Sequence, residues 1–214
     1  MKKLRPKTRI QRKNTAAILD AALEVFSQHG FRGATLDQIA KSAGLSKPNM
    51  LYYFASKEEI HTQLLSELMV VWLDPLRALD PLGDPIEEIV GYVLRKLEMS
   101  RELPRESRLF ANEIIQGAPR IMNNIKNDLH PLVEEKCNII QGWVDAGKIV
   151  NINPKHLIFS IWSTTQHYAD FDVQIQALLA PEQGEKFNDA AVFLETLYRR
   201  ALTPNAQKNA DLLE

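Results

Sequence analysis

The sequence predicts an all-α protein, and three observations carry that prediction. Apolar residues recur at helical spacing along nearly the whole chain, β-branched alternation is almost absent, and capping residues with glycine or proline punctuate the periodic segments. At 214 residues and 45% apolar content the composition is that of an ordinary globular protein. About nine helices are expected, arranged as a three-helix N-terminal domain with a helix-turn-helix layout and a larger helical domain after it.

The first helix should run from Asn14 to His29, with Ile18, Ala22, Val25 and Phe26 on one stripe and Gly30 as its stop. A second opens at Thr35, whose hydroxyl can cap it, buries Leu36, Ile39 and Ala40, and ends at Gly44. A third starts at Ser46, holds Pro48 in its first turn where the missing amide is harmless, and ends near Tyr53. Ser56 opens a long helix with Glu58 and Glu59 at its positive end, expected to break at Asp74-Pro75. After the turn-rich stretch 80–85, Asp84 caps a helix to about Arg101. Pro104 to Gln116, Pro119 to Gly147 with a break or kink near Pro131, Pro154 to Leu179, and Glu185 to Leu202 complete the set. The boundaries read from this pattern are a basic leader 1–13, a helix-turn-helix domain 14–58, a second domain 59–204 and a tail 205–214, with disorder expected in the first and last ten residues.

Charge divides the chain the same way. Residues 1–60 hold 11 Lys/Arg against 5 Asp/Glu, a net of +6, and the remainder holds 15 against 22, a net of -7. One part therefore suits a polyanion and the other does not. Seven of the basic residues (Lys2, Lys3, Arg5, Lys7, Arg9, Arg12, Lys13) precede any acid, a pattern equally compatible with a solvated leader. No apolar run reaches the roughly 18 residues of a membrane span and no secretory signal core follows the basic start, so a cytoplasmic location is expected. Cys137 has no disulfide mate and no metal-ligand neighbours, and reads as a small apolar residue; no metal and no cofactor are expected.

In a helix-turn-helix the second helix offers its first residues to base edges in the major groove. Here these are Ser46, Lys47, Pro48 and Asn49. Lysine can donate to guanine, asparagine can pair with adenine, and a pyrrolidine can touch a thymine methyl. Thr35, Tyr52, Tyr53 and Lys57 are donor types that grip phosphates, although either tyrosine reads equally well as a packing aromatic. The stretch 26–60, FSQHGFRGATLDQIAKSAGLSKPNMLYYFASKEEI, closely resembles the N-terminal motif of the tetracycline-repressor (TetR) family. The resemblance implies that Thr35, Lys47, Asn49, Tyr52, Tyr53 and Lys57 meet DNA, and that the leader reaches along the duplex. One departure is Leu51, where many members carry a phosphate-binding tyrosine.

The second half of the chain then resembles the ligand-binding and dimerisation domain of that family. The segments SRLFANEIIQGAP (107–119), IIQGWVDAGKI (139–149) and HLIFSIWSTTQHYADF (156–171) look like the pyrimidine-utilisation repressor branch, which implies uracil or thymine as effector. On the penultimate helix Trp162, Thr165, Gln166 and Ala169 share one stripe, joining an aromatic plate to an amide that donates and accepts. Trp162 or Trp72 could stack on a pyrimidinedione, Gln166 could match its edge, and Lys96 and Arg108 could donate to its carbonyls. Each tryptophan is also an ordinary core candidate and each cation an ordinary surface charge. His167 and Asp170 could form a satisfied polar pair. The family resemblance further implies a homodimer through the last two long helices, whose apolar residues include Ile158, Ile161, Phe187, Val192, Leu194 and Leu197, and a near-palindromic double-stranded operator.

The expected function is thus a DNA-binding repressor released by uracil or thymine, with a TetR-type regulator of another small-molecule pathway as the alternative. A helical enzyme using Glu98, Glu113, His167 and Asp170 is disfavoured because no nucleophile elbow, zinc-protease, phosphate-loop or dinucleotide motif is present. A helical protein scaffold would leave the basic leader and the Ser-Lys-Pro-Asn helix start without a role.

Overall fold

The computed structural model describes residues 8–179 and 185–204, and among these it contains helices and no strand. The basic stretches 1–7 and the tail 205–214 lie outside the described residues.

Helix α1 (Arg9–Gly33) begins five residues before the expected Asn14. Thr8 caps it reciprocally: its hydroxyl accepts from the Gln11 amide while the Gln11 side chain accepts from the Thr8 amide, so Arg9, Arg12 and Lys13 lie on a helix and not in a leader. Gly30, the expected stop, does leave helical geometry (φ 64°, ψ 174°), and one further turn follows it. A side chain would be strained at that φ. Helices α2 (Leu36–Ser42) and α3 (Lys47–Tyr53) follow, joined through Gly44 at φ 67°. Helix α4 (Lys57–Arg77) does not break at Pro75, which sits inside its last turn. Its ring removes one backbone hydrogen bond and crowds the Val71 carbonyl a turn earlier, and the helix ends two residues beyond it.

Asp84 caps α5 (Pro85–Glu102) through bonds of 3.0 Å from the Ile86 and Glu87 amides. Helix α6 (Pro104–Ile115) is followed by the short α7 (Met122–Asn124), a π-helical turn over Ile125–Leu129, and α8 (His130–Asp145) with Pro131 in its first turn. The interruption expected at Pro131 is thus taken up by the widened turn just before it. The single helix expected from Pro154 to Leu179 is two, α9 (Pro154–Asp170) and α10 (Asp172–Leu179), with Phe171 non-helical between them. Helix α11 (Glu185–Leu202) closes the order.

Among the described residues these elements form two compact units, one of residues 8–71 with 108–122 and one of 72–107 with 123–179 and 185–204. The sequence draws its boundary near residue 58 and has no signal for returning residues 108–122 to the first unit. In the first unit Ile18, Phe26, Ile39 and Met50 are fully buried and tie α1, α2 and α3 together, each worth on the order of 2 kcal/mol. In the second, α5 packs against α9 and α11, and α8 against α9, over a core that includes Val93, Leu97, Ile140, Trp143, Ile158, Ile161 and Leu194. Cys137 is buried in that core, where burial pushes its thiol pKa up, as befits a packing residue. No described helix is long and apolar enough to cross a membrane, and the described residues hold no cluster of metal-binding side chains.

Candidate functional site

The first unit presents the helix-turn-helix. Thr35 caps α2 in a reciprocal box with Gln38, its hydroxyl accepting from the Gln38 amide at 3.2 Å. Ser46 caps α3, accepting from the Asn49 amide at 3.3 Å. Both hydroxyls therefore set helix starts. Ser46, Lys47, Pro48 and Asn49 are all exposed at the head of α3, and Met50 turns into the core behind them. Lys47 pairs with Asp37 on the first turn of α2, Nζ to Oδ2 at 2.9 Å.

The tyrosines are anchored by α1. Asn14 donates to the Tyr53 hydroxyl at 2.7 Å and Gln11 to that of Tyr52 at 3.4 Å, while the two rings meet edge to face at 5.2 Å. Tyr52 is exposed and Tyr53 half-buried. Lys57 spends two donors inside the unit, on the Phe31 and Ala34 carbonyls at 2.7 Å each, where it caps the end of α1 and leaves one N–H for a phosphate. Asp37 and Gln11 went unread in the sequence and Asn14 was read only as a helix start; the spacing Thr8-x-x-Gln11 was the available signal for the helix that carries the last two.

The same unit buries a charge cluster. Glu113 accepts from the Arg120 backbone amide at 2.7 Å and from its guanidinium at 2.9 Å, and the guanidinium lies over the Phe31 ring at 3.5 Å. His61 sits edge-on to Phe26 and Phe31, with Nδ1 4.0 Å from Glu113 and no hydrogen bond. Burial, then the Arg120 and Lys57 charges, hold its pKa down at about 4.

The second unit contains a polar site of another kind. Lys96 on α5 is 1% exposed, and its ammonium rests over the Trp72 ring, 4.2 Å from the centroid, with no carboxylate in ion-pair contact among the described residues. Burial pushes its pKa down to about 7 against the pull of the Asp170 carboxylate. The Trp72 indole N–H is buried without an acceptor. Asp170 instead takes the Ser107 hydroxyl at 2.5 Å, and His167 stacks on Phe171 with centroids 4.8 Å apart, so the polar pair expected of His167 and Asp170 is not the one formed.

On α9 the expected stripe divides by role. Trp162 donates to the Tyr92 hydroxyl at 2.7 Å, and Thr165, fully buried, donates to the Ile161 carbonyl of its own helix at 2.7 Å. Gln166 is half-buried on the same helix. Arg108, half-buried on α6, falls in the first unit, whereas the other five residues of the expected ligand set belong to the second. The acids of the enzyme reading are tied up elsewhere: Glu98 pairs with Arg101 and Glu113 with Arg120.

Comparison with known proteins agrees with this geometry. Residues 18–64 match the family of bacterial regulatory proteins of the tetR type, and residues 65–205 match the YcdC-like C-terminal region of that family. The chain is 46% identical over 181 residues to the HTH-type transcriptional regulator RutR of Escherichia coli (strain K12), covering 85% of this chain and 84% of that protein. Over 46 residues, 22% of this chain and 25% of the relative, it is 46% identical to the biofilm operon negative transcriptional regulator IcaR of Staphylococcus aureus (strain Newman). In fold it is similar to a TetR-like transcriptional regulator from Rhodococcus sp. RHA1, with a TM-score of 0.66 at 21% identity over 92% of this chain and 97% of that one. The fatty acid degradation regulator FadR from Bacillus halodurans gives 0.65 at 18% identity over 91% and 96%. With both parts of the chain matched and a relative at 46% identity, the chain belongs to the TetR family of bacterial DNA-binding transcriptional regulators and is not an enzyme.

Proposed function

We propose that this regulator controls pyrimidine utilisation, that its effector is uracil or thymine, and that the effector binds in the second unit around Lys96, Trp72 and α9. The observation that carries this is a buried donor without an acceptor, the Trp72 indole N–H, on whose ring the buried Lys96 ammonium rests. An unmet buried donor costs about 1–3 kcal/mol, and a planar ligand bearing carbonyl oxygens supplies the acceptor that the Trp72 N–H lacks and a second oxygen for the Lys96 ammonium. Gln166 offers an amide that can match the alternating C=O and N–H edge of a pyrimidinedione, and Trp162, fixed by Tyr92, supplies an aromatic face. The location is the cytoplasm, where such a regulator meets its operator.

The chain acts as a homodimer through α9 and α11 on a near-palindromic operator. Ile158, Ile161 and Leu194 are buried in the chain's own core, whereas Phe159, Val192, Phe193 and Leu197 are left exposed on the same two helices. Such apolar area suits a second copy and not water. In the head, Lys47 and Asn49 read base edges, Thr35, Tyr52 and Tyr53 meet phosphates, and Lys57 contributes mainly by fixing the end of α1. Effector binding biases the chain toward a state that binds the operator less well, as differential affinity requires.

Isothermal titration of the protein with uracil, thymine and cytosine, repeated on Gln166→Ala, tests the ligand assignment. Micromolar binding of uracil or thymine, weakened in the variant, is expected; no heat with any of the three rejects the pyrimidine effector.

A further inference from the structure

The first turns of α2 and α3 are bridged by an ion pair that stability does not explain. Asp37 and Lys47 are 71% and 44% exposed, and an exposed pair contributes at most about 1 kcal/mol. Nor does affinity for the phosphate backbone explain it, since a carboxylate beside the recognition helix opposes a polyanion. What the pair does provide is an ordered arrangement at the point where α3 presents its N-terminal residues: an ammonium donor with a carboxylate acceptor 2.9 Å away.

That arrangement is the complement of one base-pair edge. In the major groove a G·C pair shows two neighbouring acceptors, guanine N7 and O6, followed by one donor, cytosine N4–H. An ammonium has enough N–H groups for both acceptors, and the carboxylate beside it meets the donor. An A·T pair shows its donor between two separated acceptors, so the same side chains satisfy one acceptor and leave the other, next to a thymine methyl.

We propose that Asp37 is a specificity-determining residue that reads one G·C base pair of each operator half-site jointly with Lys47, Lys47 donating to guanine and Asp37 accepting from cytosine N4–H. In the free protein the two side chains satisfy each other, which holds both at the head of α3 before DNA arrives. On the operator the pair persists and gains the base edge on its outer side, so neither charge is left uncompensated at the protein–DNA interface.

Selection of duplexes from a random library by the full-length chain, by Asp37→Ala, by Lys47→Ala and by the double variant tests this. The unaltered chain is expected to select a site with a fixed G·C pair in each half. Both single variants should relax that same position and no other, by roughly fivefold to a hundredfold in preference, and the double variant should relax it no further than Lys47→Ala alone. Two results would overturn the proposal: Asp37→Ala tightens binding to all duplexes alike with the selected sequence unchanged, or it relaxes a position different from that of Lys47→Ala. Both residues are exposed, so folding of the variants is confirmed by an unchanged thermal transition.

Discussion

The two units of this chain each bury a charged side chain, and they treat it in opposite ways. Glu113 in the first unit is 2% exposed and takes two hydrogen bonds from Arg120, whose guanidinium in turn lies on Phe31. Lys96 in the second unit is 1% exposed, rests on the face of Trp72 and has no carboxylate in ion-pair contact among the described residues, Asp170 acting on it from farther away. Desolvating a charge costs several kcal/mol; Glu113 recovers that cost through a hydrogen-bonded partner, whereas Lys96 recovers only part of it through the more distant Asp170. A paired buried charge is architecture. A buried ammonium with no carboxylate in ion-pair contact among the described residues, beside an indole N–H that lacks an acceptor, is where the proposed effector would bind.

The sharpest way to break this comparison is to remove the paired charge. Glu113→Ala leaves the Arg120 guanidinium without its carboxylate and should destabilise the protein by about 3–5 kcal/mol, read as a lower midpoint in urea denaturation. The double change Glu113→Leu with Arg120→Met removes both charges at once and should recover most of that loss. A cost under about 1 kcal/mol for the single change would mean that the cluster is not what holds this segment in the first unit.

The two units also differ in how far they could be read from sequence, for the same reason. In the head, the deciding interactions are local: Thr35 with Gln38, Ser46 with Asn49, and glycine at φ 67° between α2 and α3. Local rules of capping and turn chemistry reach that far. What the sequence left unread in the head is a long-range contact. Lys57 reaches back to the carbonyls of Phe31 and Ala34, 26 and 23 residues away, and no spacing rule announces that a candidate phosphate ligand also caps a helix. In the second unit nearly everything that matters is of this kind. A lysine on an amphipathic helix reads as a surface charge until α9 is packed against α5. The break at Phe171 carries neither glycine nor proline, so periodicity alone runs α9 into α10. The stripe on α9 was legible, but the diversion of Asp170 to Ser107, 63 residues away, was not.

The acid response sharpens the contrast within the head itself. His61 has a folded pKa of about 4 against 6.5 for the free side chain, so between those values the unfolded chain holds a proton that the folded chain refuses. Stability therefore falls as pH drops from 6.5 toward 4, by on the order of 3 kcal/mol across the window from this group. Ordinary carboxylates titrate in the same range, so the informative quantity is a difference: His61→Leu should show a shallower fall than the unaltered chain. Parallel pH profiles would mean that the imidazole is not held neutral by its surroundings.

Lys96→Met gives the smallest change in stability and the one of opposite sign. At neutral pH and below, the folded protein bears the cost of a buried ammonium with no carboxylate in ion-pair contact among the described residues; methionine fills similar volume without it, so a gain of about 1–2 kcal/mol is expected. The pH dependence carries the same signature. With a folded pKa of about 7 against 10.5 unfolded, Lys96 makes the unaltered protein more stable as pH rises between those values, because only the unfolded chain still holds the proton. The methionine variant should lose that rise and lose pyrimidine binding with it, the trade expected where a site is kept at the expense of stability. Urea midpoints at pH 6.5 and pH 9 for both chains, with uracil titrations alongside, decide the matter. If Lys96→Met instead destabilised the fold as Glu113→Ala is expected to, the ammonium would have an architectural role after all, and the difference between the two buried charges would vanish.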